Sequence, residues 1–244
     1  MKDLFSRDSK QYAKFRLTYP DEFYHFIFQH VNHKQYAWDV GTGNGQVARV
    51  LARHFEQVYA TDISQKQLEE AVQLPNVQYL RCNEYETSFA THTFDLITVG
   101  QAIHWFNIDL FYQEVQRVAK KGAIIAVWGY NLLRISPQID TLIQQFYKEK
   151  VGSFWNAERK YVEESYQTIP FPFQVITSPN FQIEVFWDLT MLEGYLNTWS
   201  SVGKFIQTHL YNPVNELIVS LNPFWKKNEQ KKIIFPIFVR LGVV

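Results

Sequence analysis

Tyr36-Ala37-Trp38-Asp39-Val40-Gly41-Thr42-Gly43-Asn44-Gly45-Gln46-Val47 joins a short apolar run to a glycine-rich turn and then to a segment of helical periodicity. Tyr36–Val40 reads as a strand, and residues 46–54 as a helix with Val47, Val50 and Leu51 at helical spacing. Between them, Gly41, Gly43 and Gly45 permit backbone angles closed to other residues and let a ligand approach the main chain. The helix that follows presents unpaired N–H groups to whatever lies at its start. The spacing is G-x-G-x-G, with Gln46 where a dinucleotide fingerprint has its third glycine. Asp62 ends the next strand, the position from which a carboxylate accepts both hydroxyls of a ribose.

Outward from this turn, residues 36–128 alternate strand and helix. Residues 57–61, 77–81, 94–99 and 123–127 are strand candidates. Ser64-Gln65-Lys66-Gln67 offers a capping box for a helix ending near Leu74-Pro75. A helix with Leu110, Phe111, Val115 and Val118, closed by Gly122, fits before the last of these strands. Continuous apolar strands separated by amphipathic helices indicate a doubly wound, mostly parallel α/β sheet covered on both faces. The flanks differ. Residues 1–35 read as helices, with Pro20 in the first turn of one that carries Phe23, Phe26, Ile27 and Phe28. A helix follows Ser136-Pro137, and residues 152–179 read as irregular. Residues 181–189 alternate as a half-buried strand. Thr190-Met191-Leu192-Glu193 offers a second capping box. Residues 233–239 form a last strand in which Pro236 calls for an edge position or a bulge. The expected organisation is a helical lid over 1–35, a cofactor-binding core over 36–135, a cap insertion over 136–180, and C-terminal elements over 181–244 that complete the sheet and a substrate pocket.

With 24 basic and 24 acidic residues the formal net charge is zero, which removes the electrostatic footprint of a protein that grips a phosphate backbone. Nucleic acid is not an expected partner. The lone Cys82 cannot form an internal disulfide and fits a reducing cytoplasm. No long apolar run or signal pattern opens the chain, so no membrane partner is expected. The seven histidines form no ligand set, and no metal is expected. Aromatic residues make up 17% of the chain and concentrate before position 40 and after 145. They supply core, and they also suit an aromatic-lined pocket.

The segment Asp39–Gly45, with Asp62, resembles the first motif and second-strand acid of the class I S-adenosylmethionine-dependent methyltransferases, a Rossmann-like fold of seven strands. Residues 12–20, Tyr-Ala-Lys-Phe-Arg-Leu-Thr-Tyr-Pro, look like the Y-x-x-x-R-P-x-Y-P opening of a subgroup that includes trans-aconitate methyltransferases, with Leu17 in place of its proline. Residues 94–106 look like that subgroup's fourth-strand motif, and Thr198-Trp199-Ser200 matches a later signature. The resemblance implies S-adenosylmethionine as cofactor, with S-adenosylhomocysteine as product. It implies that Asp39, Gly41, Thr42 and Gly43 line the methionine part, that Asp62 and Ile63 hold ribose and adenine, and that Asn83 and Glu84 meet the adenine edge. Gln101 and His104 would follow strand four near the sulfonium, with Tyr12 and Arg16 on the lid.

A sulfonium donor is already activated, so the protein must align the nucleophile, exclude water and, for some acceptors, remove a proton. His104 is the candidate base by position and by the pKa class of imidazole. Trp105, Trp128, Tyr130 and Trp199 are candidate walls of an acceptor pocket. Gly100-Gln101-Ala102-Ile103-His104-Trp105 stands where amino-methylating enzymes acting on nucleic-acid bases or glutamine carry Asp/Asn-Pro-Pro-Tyr. The expectation is a methyltransferase acting on a small molecule, with a carboxylate among the candidate acceptors. The alternatives are a catalytically silent cofactor-binding protein on the same fold, and an oxidoreductase, which Gln46 disfavours.

Overall fold

A computed structural model describes residues 17–226 and 228–244. Tyr12 and Arg16 lie outside the described residues. Strands β1 (Tyr36–Val40), β2 (Gln57–Asp62), β3 (Val77–Arg81), β4 (Phe94–Gly100) and β5 (Ala119–Tyr130) are parallel, ordered β3-β2-β1-β4-β5. The antiparallel β8 (Lys231–Val243) continues this sheet beyond β5. β6 (Gln174–Ile176) and β7 (Phe181–Trp187) both pair with the far side of β8, at opposite ends of it. The eight strands therefore fill seven positions across a mixed sheet, the Rossmann-like arrangement expected.

The apolar periods of the sequence cover both faces of this sheet. On one face, α1 (Asp21–Phe28) buries Phe23 and Ile27, and α2 (Gln46–Leu51) buries Ala48 and Leu51, against a layer that includes Ala37, Leu96, Ala126 and Trp128. On the other, α4 (Ile108–Val118) presses Phe111, Val115 and Val118 into a cluster with Trp38, Phe94, Ile97 and Ile125. The short α3 (Gln65–Glu69) lies between β2 and β3. Beyond β5 come α5 (Pro137–Gln145), α6 (Arg159–Glu163), α7 (Leu189–Asn197), α8 (Ser200–His209) and α9 (Val214–Leu221).

Several local expectations are corrected. The Ser64 side chain makes no cap bond; its N–H instead donates to Asp62 Oδ1 at 2.9 Å. The second capping box is displaced too: α7 is capped by Asp188, whose carboxylate accepts from Met191 N at 2.9 Å. Gly122 does not close α4, which runs directly into β5 at Ala119. Its φ of 78° lies in the irregularity where β5 pairing passes from Phe94–Ala119 to Leu96–Ile124. Pro236 needs neither edge nor bulge. It sits in an interior strand, in unbroken register opposite Gln182, and accepts from Asn131 N just past the last β5–β8 pair, Tyr130–Ile237. Pro20 is the N-cap of α1 rather than a residue of its first turn. The stretch read as irregular contains α6 and β6.

Candidate active site

Strand order reverses at β1, which pairs with β2 on one side and β4 on the other. Crevices at the carboxyl ends of strands bracketing such a reversal are where open α/β sheets take ligands. The glycine turn stands there. Gly41, Gly43 and Gly45 have φ of 66°, 57° and 78°, all left-handed. At Gly41 space is also decisive: a Cβ would lie 2.6 Å from Ala102 Cβ, so the turn closes against the segment after β4.

Polar side chains fix this turn from beneath. Asp39 is buried; its carboxylate accepts from Thr42 Oγ1 at 2.5 Å and Thr98 Oγ1 at 2.9 Å. Thr42 N donates to Thr61 O at 2.9 Å, tying the turn to β2. Asp62 accepts from Gly43 N and Ser64 N, each at 2.9 Å. Gln46 Nε2 donates to Leu17 O at 2.6 Å, which ties Leu17 to the helix start.

The structure brings Asp39, Gly41, Thr42, Gly43 and Asp62 into one hydrogen-bonded turn. Ile63 follows Asp62 and accepts from Arg81 Nε at 3.2 Å. Asn83 and Glu84 follow β3, with their oxygens engaged by the backbone. Asn83 accepts from Glu86 N at 2.7 Å, and the buried Glu84 accepts from Asn107 N at 2.8 Å, ahead of α4. Gln101 adopts φ 58°, a strained conformation for a residue with a side chain, and its N–H donates to Trp128 O at 2.9 Å. A short 3₁₀ turn over Ile103–Trp105 then presents His104, with the Trp105 ring 4.8 Å away.

His104 Nδ1 lies 2.8 Å from the hydroxyl of Tyr166. Burial, reinforced by the charge of Arg159, holds the His104 pKa down at about 3. Tyr166 is fully buried, and burial pushes its hydroxyl well above the usual phenol range, so it stays protonated. Its φ of 59° follows Ser165 at 53°. Arg240 holds this bend by donating to Tyr166 O at 2.9 Å and to Ile169 O.

The four expected pocket walls separate. Trp105 borders His104. Trp128 is fully buried beneath Tyr19, Phe23 and Tyr24 as part of the core. Tyr130 packs on Tyr19 and Phe235. Trp199 joins Tyr147, Trp155 and Tyr195, with centroids 5.6–6.1 Å away. Sequence reasoning missed Tyr147, Trp155, Arg159, Tyr166 and Tyr195; the only signal was the density of aromatic residues after position 145.

Comparison with known proteins agrees with this geometry. The family model for a methyltransferase domain matches residues 38–127, the span from β1 to β5. A Dictyostelium discoideum protein bearing the methyltransferase name is 32% identical over 98% of this chain and 94% of its own length. Methyltransferase cfoB of Aspergillus candidus is 28% identical over 66% of this chain and 59% of its own. A solved structure from Anaeromyxobacter dehalogenans, described as a type II methyltransferase, superposes with a TM-score of 0.87 at 32% identity, covering 93% of this chain and 97% of that one.

Proposed function

From the chain's membership of the class I S-adenosylmethionine-dependent methyltransferases, we propose that it methylates a small molecule, foremost one that presents a carboxylate. The observation that carries the acceptor class is His104. An imidazole with its pKa near 3 is a poor proton acceptor at neutral pH. An acceptor that arrives ionised needs no base. The absence of net charge supports a small acceptor over a nucleic acid.

The glycine turn suits the cofactor: Gly41 and Gly43 hold left-handed backbone at the carboxyl end of β1, where the methionine part would approach along Gly41, Thr42 and Gly43. Asp62 ends β2 with its carboxylate aligned by two N–H donors, and would take the ribose hydroxyls, beside Ile63 against adenine. Asn83 and Glu84 border the adenine edge in this reading, and Gln101 the sulfonium. Bound there, S-adenosylmethionine supplies a methyl group on a positively charged sulfur. An ionised acceptor oxygen would take that methyl group with no proton to be removed, so no side chain of the site would need to act as a base.

Calorimetric titration with S-adenosylmethionine, S-adenosylhomocysteine and NAD tests the cofactor. Micromolar binding of the first two is expected; tight NAD binding without them overturns the reading. Transfer of a labelled methyl group across a panel of carboxylic acids, phenols and amines then tests the acceptor class.

A further inference from the structure

Arg159 opens α6 with an unusual set of neighbours. Its guanidinium lies over the Trp155 ring, 4.8 Å from the centroid, and beside the Tyr147 ring at 5.5 Å. Nε donates to the Tyr147 hydroxyl at 2.8 Å, and that hydroxyl donates to Glu163 Oε1 at 2.6 Å. Among the described residues, Arg159 forms no ion pair and its two terminal nitrogens donate no hydrogen bond. Arg117 and Arg240, by contrast, spend theirs on Glu114, Phe89 O and Tyr166 O.

The location is equally specific. Burial works against the Arg159 charge, and the surrounding phenols of Tyr147, Tyr195 and Tyr130 favour it. The same charge bears on His104 and Tyr166. Arg159 thus stands between the end of β4 and the aromatic cap. The residue keeps an intermediate exposure, so an incoming anion can reach it, and its two free terminal nitrogens in one plane match a carboxylate bidentately.

We infer that Arg159 is the specificity residue of the acceptor site and binds a carboxylate of the acceptor, whose apolar body rests on the Tyr147, Trp155 and Tyr195 rings. This rests on the methyltransferase reading. One cation, with Glu163 reached through Tyr147 and His104 neutral, suits a monoanion better than a phosphate dianion.

The test uses the full chain saturated with S-adenosylhomocysteine and titrated with matched probes: cinnamate against cinnamamide, hexanoate against hexanamide, and phenyl phosphate. At least one carboxylate should bind tenfold or more tighter than its amide. Arg159→Gln should erase that preference, and Arg159→Lys should keep part of it. The inference is overturned if no carboxylate binds, if amides bind equally, if phenyl phosphate binds tightest, or if Arg159→Gln keeps the preference. S-adenosylhomocysteine binding is measured first. Its failure in the wild-type chain sinks the methyltransferase reading, whereas its success without a carboxylate preference sinks the Arg159 assignment alone. Should Arg159→Gln not fold, the wild-type preference and Arg159→Lys still decide.

Discussion

At single residues, the turn after β1 combines two constraints that a substitution at Gly41 would break together. Gly41→Ala places a Cβ at 2.6 Å from Ala102 in a left-handed backbone. It should cost about 1–3 kcal/mol in stability from backbone strain alone and weaken S-adenosylhomocysteine binding, seen by thermal melting and calorimetry. Asp62→Ala removes the carboxylate that Gly43 N and Ser64 N align. A loss of about 1.5–3 kcal/mol in cofactor binding is expected, roughly ten- to more than a hundredfold in Kd; an unchanged constant would put the ribose elsewhere. His104 carries a pH prediction. Its folded pKa lies below that of the unfolded chain, so between about 3 and 6.5 the unfolded state holds the extra proton. Its contribution to stability is complete above 6.5 and is lost as pH falls towards 3. His104→Gln should flatten that part of the stability profile and, with no proton to remove, lower kcat less than tenfold, against the hundredfold or more that loss of a general base brings.

Among the elements, what the sequence made legible followed from backbone rules. The boundaries of β1 and β3 coincide with the runs that announce them: β1 is buried from Ala37 to Val40, as a strand covered on both faces is, whereas the edge strand β3 buries only Val77. Caps were less legible, since several nearby side chains competed for each role. Asp188 displaced Thr190 at α7, and the contrast is measurable. Asp188→Ala should cost about 1 kcal/mol, and Thr190→Ala no more than about 0.5 kcal/mol, by denaturant melts. The first half of the site was readable for a similar reason: glycines and an acid carry position-specific backbone demands. The second half was not. Arg159, Tyr147 and Tyr195 come from three helical segments and meet only through tertiary packing, which no local period encodes. Trp128 shows the converse, a residue whose chemistry suggested a pocket and whose place on an interior strand made it core.

On the scale of the whole molecule, β8 decides whether the sheet is complete. It bonds β5 along one edge and carries β6 and β7 on the other. Removing residues 231–244 should therefore abolish cooperative unfolding altogether, as read by circular dichroism on heating, although strands β1 to β4 pair with none of the removed residues. Retention of a sharp transition would show that the parallel half stands alone. No helix among the described residues is long and apolar enough to cross a membrane.

The same strand imposes a schedule on synthesis. Strands β1 to β5 can pair as they leave the ribosome, each beside a neighbour already made or soon to follow. The outer edge of β5 has no such neighbour at hand, because its partner is made about a hundred residues later. Through that interval Ile124, Ile125, Ala126 and Val127 present an open apolar edge, the template on which nascent chains join one another. Slow translation of residues 131–230 lengthens this exposure, and a holdase that shields β5 shortens it.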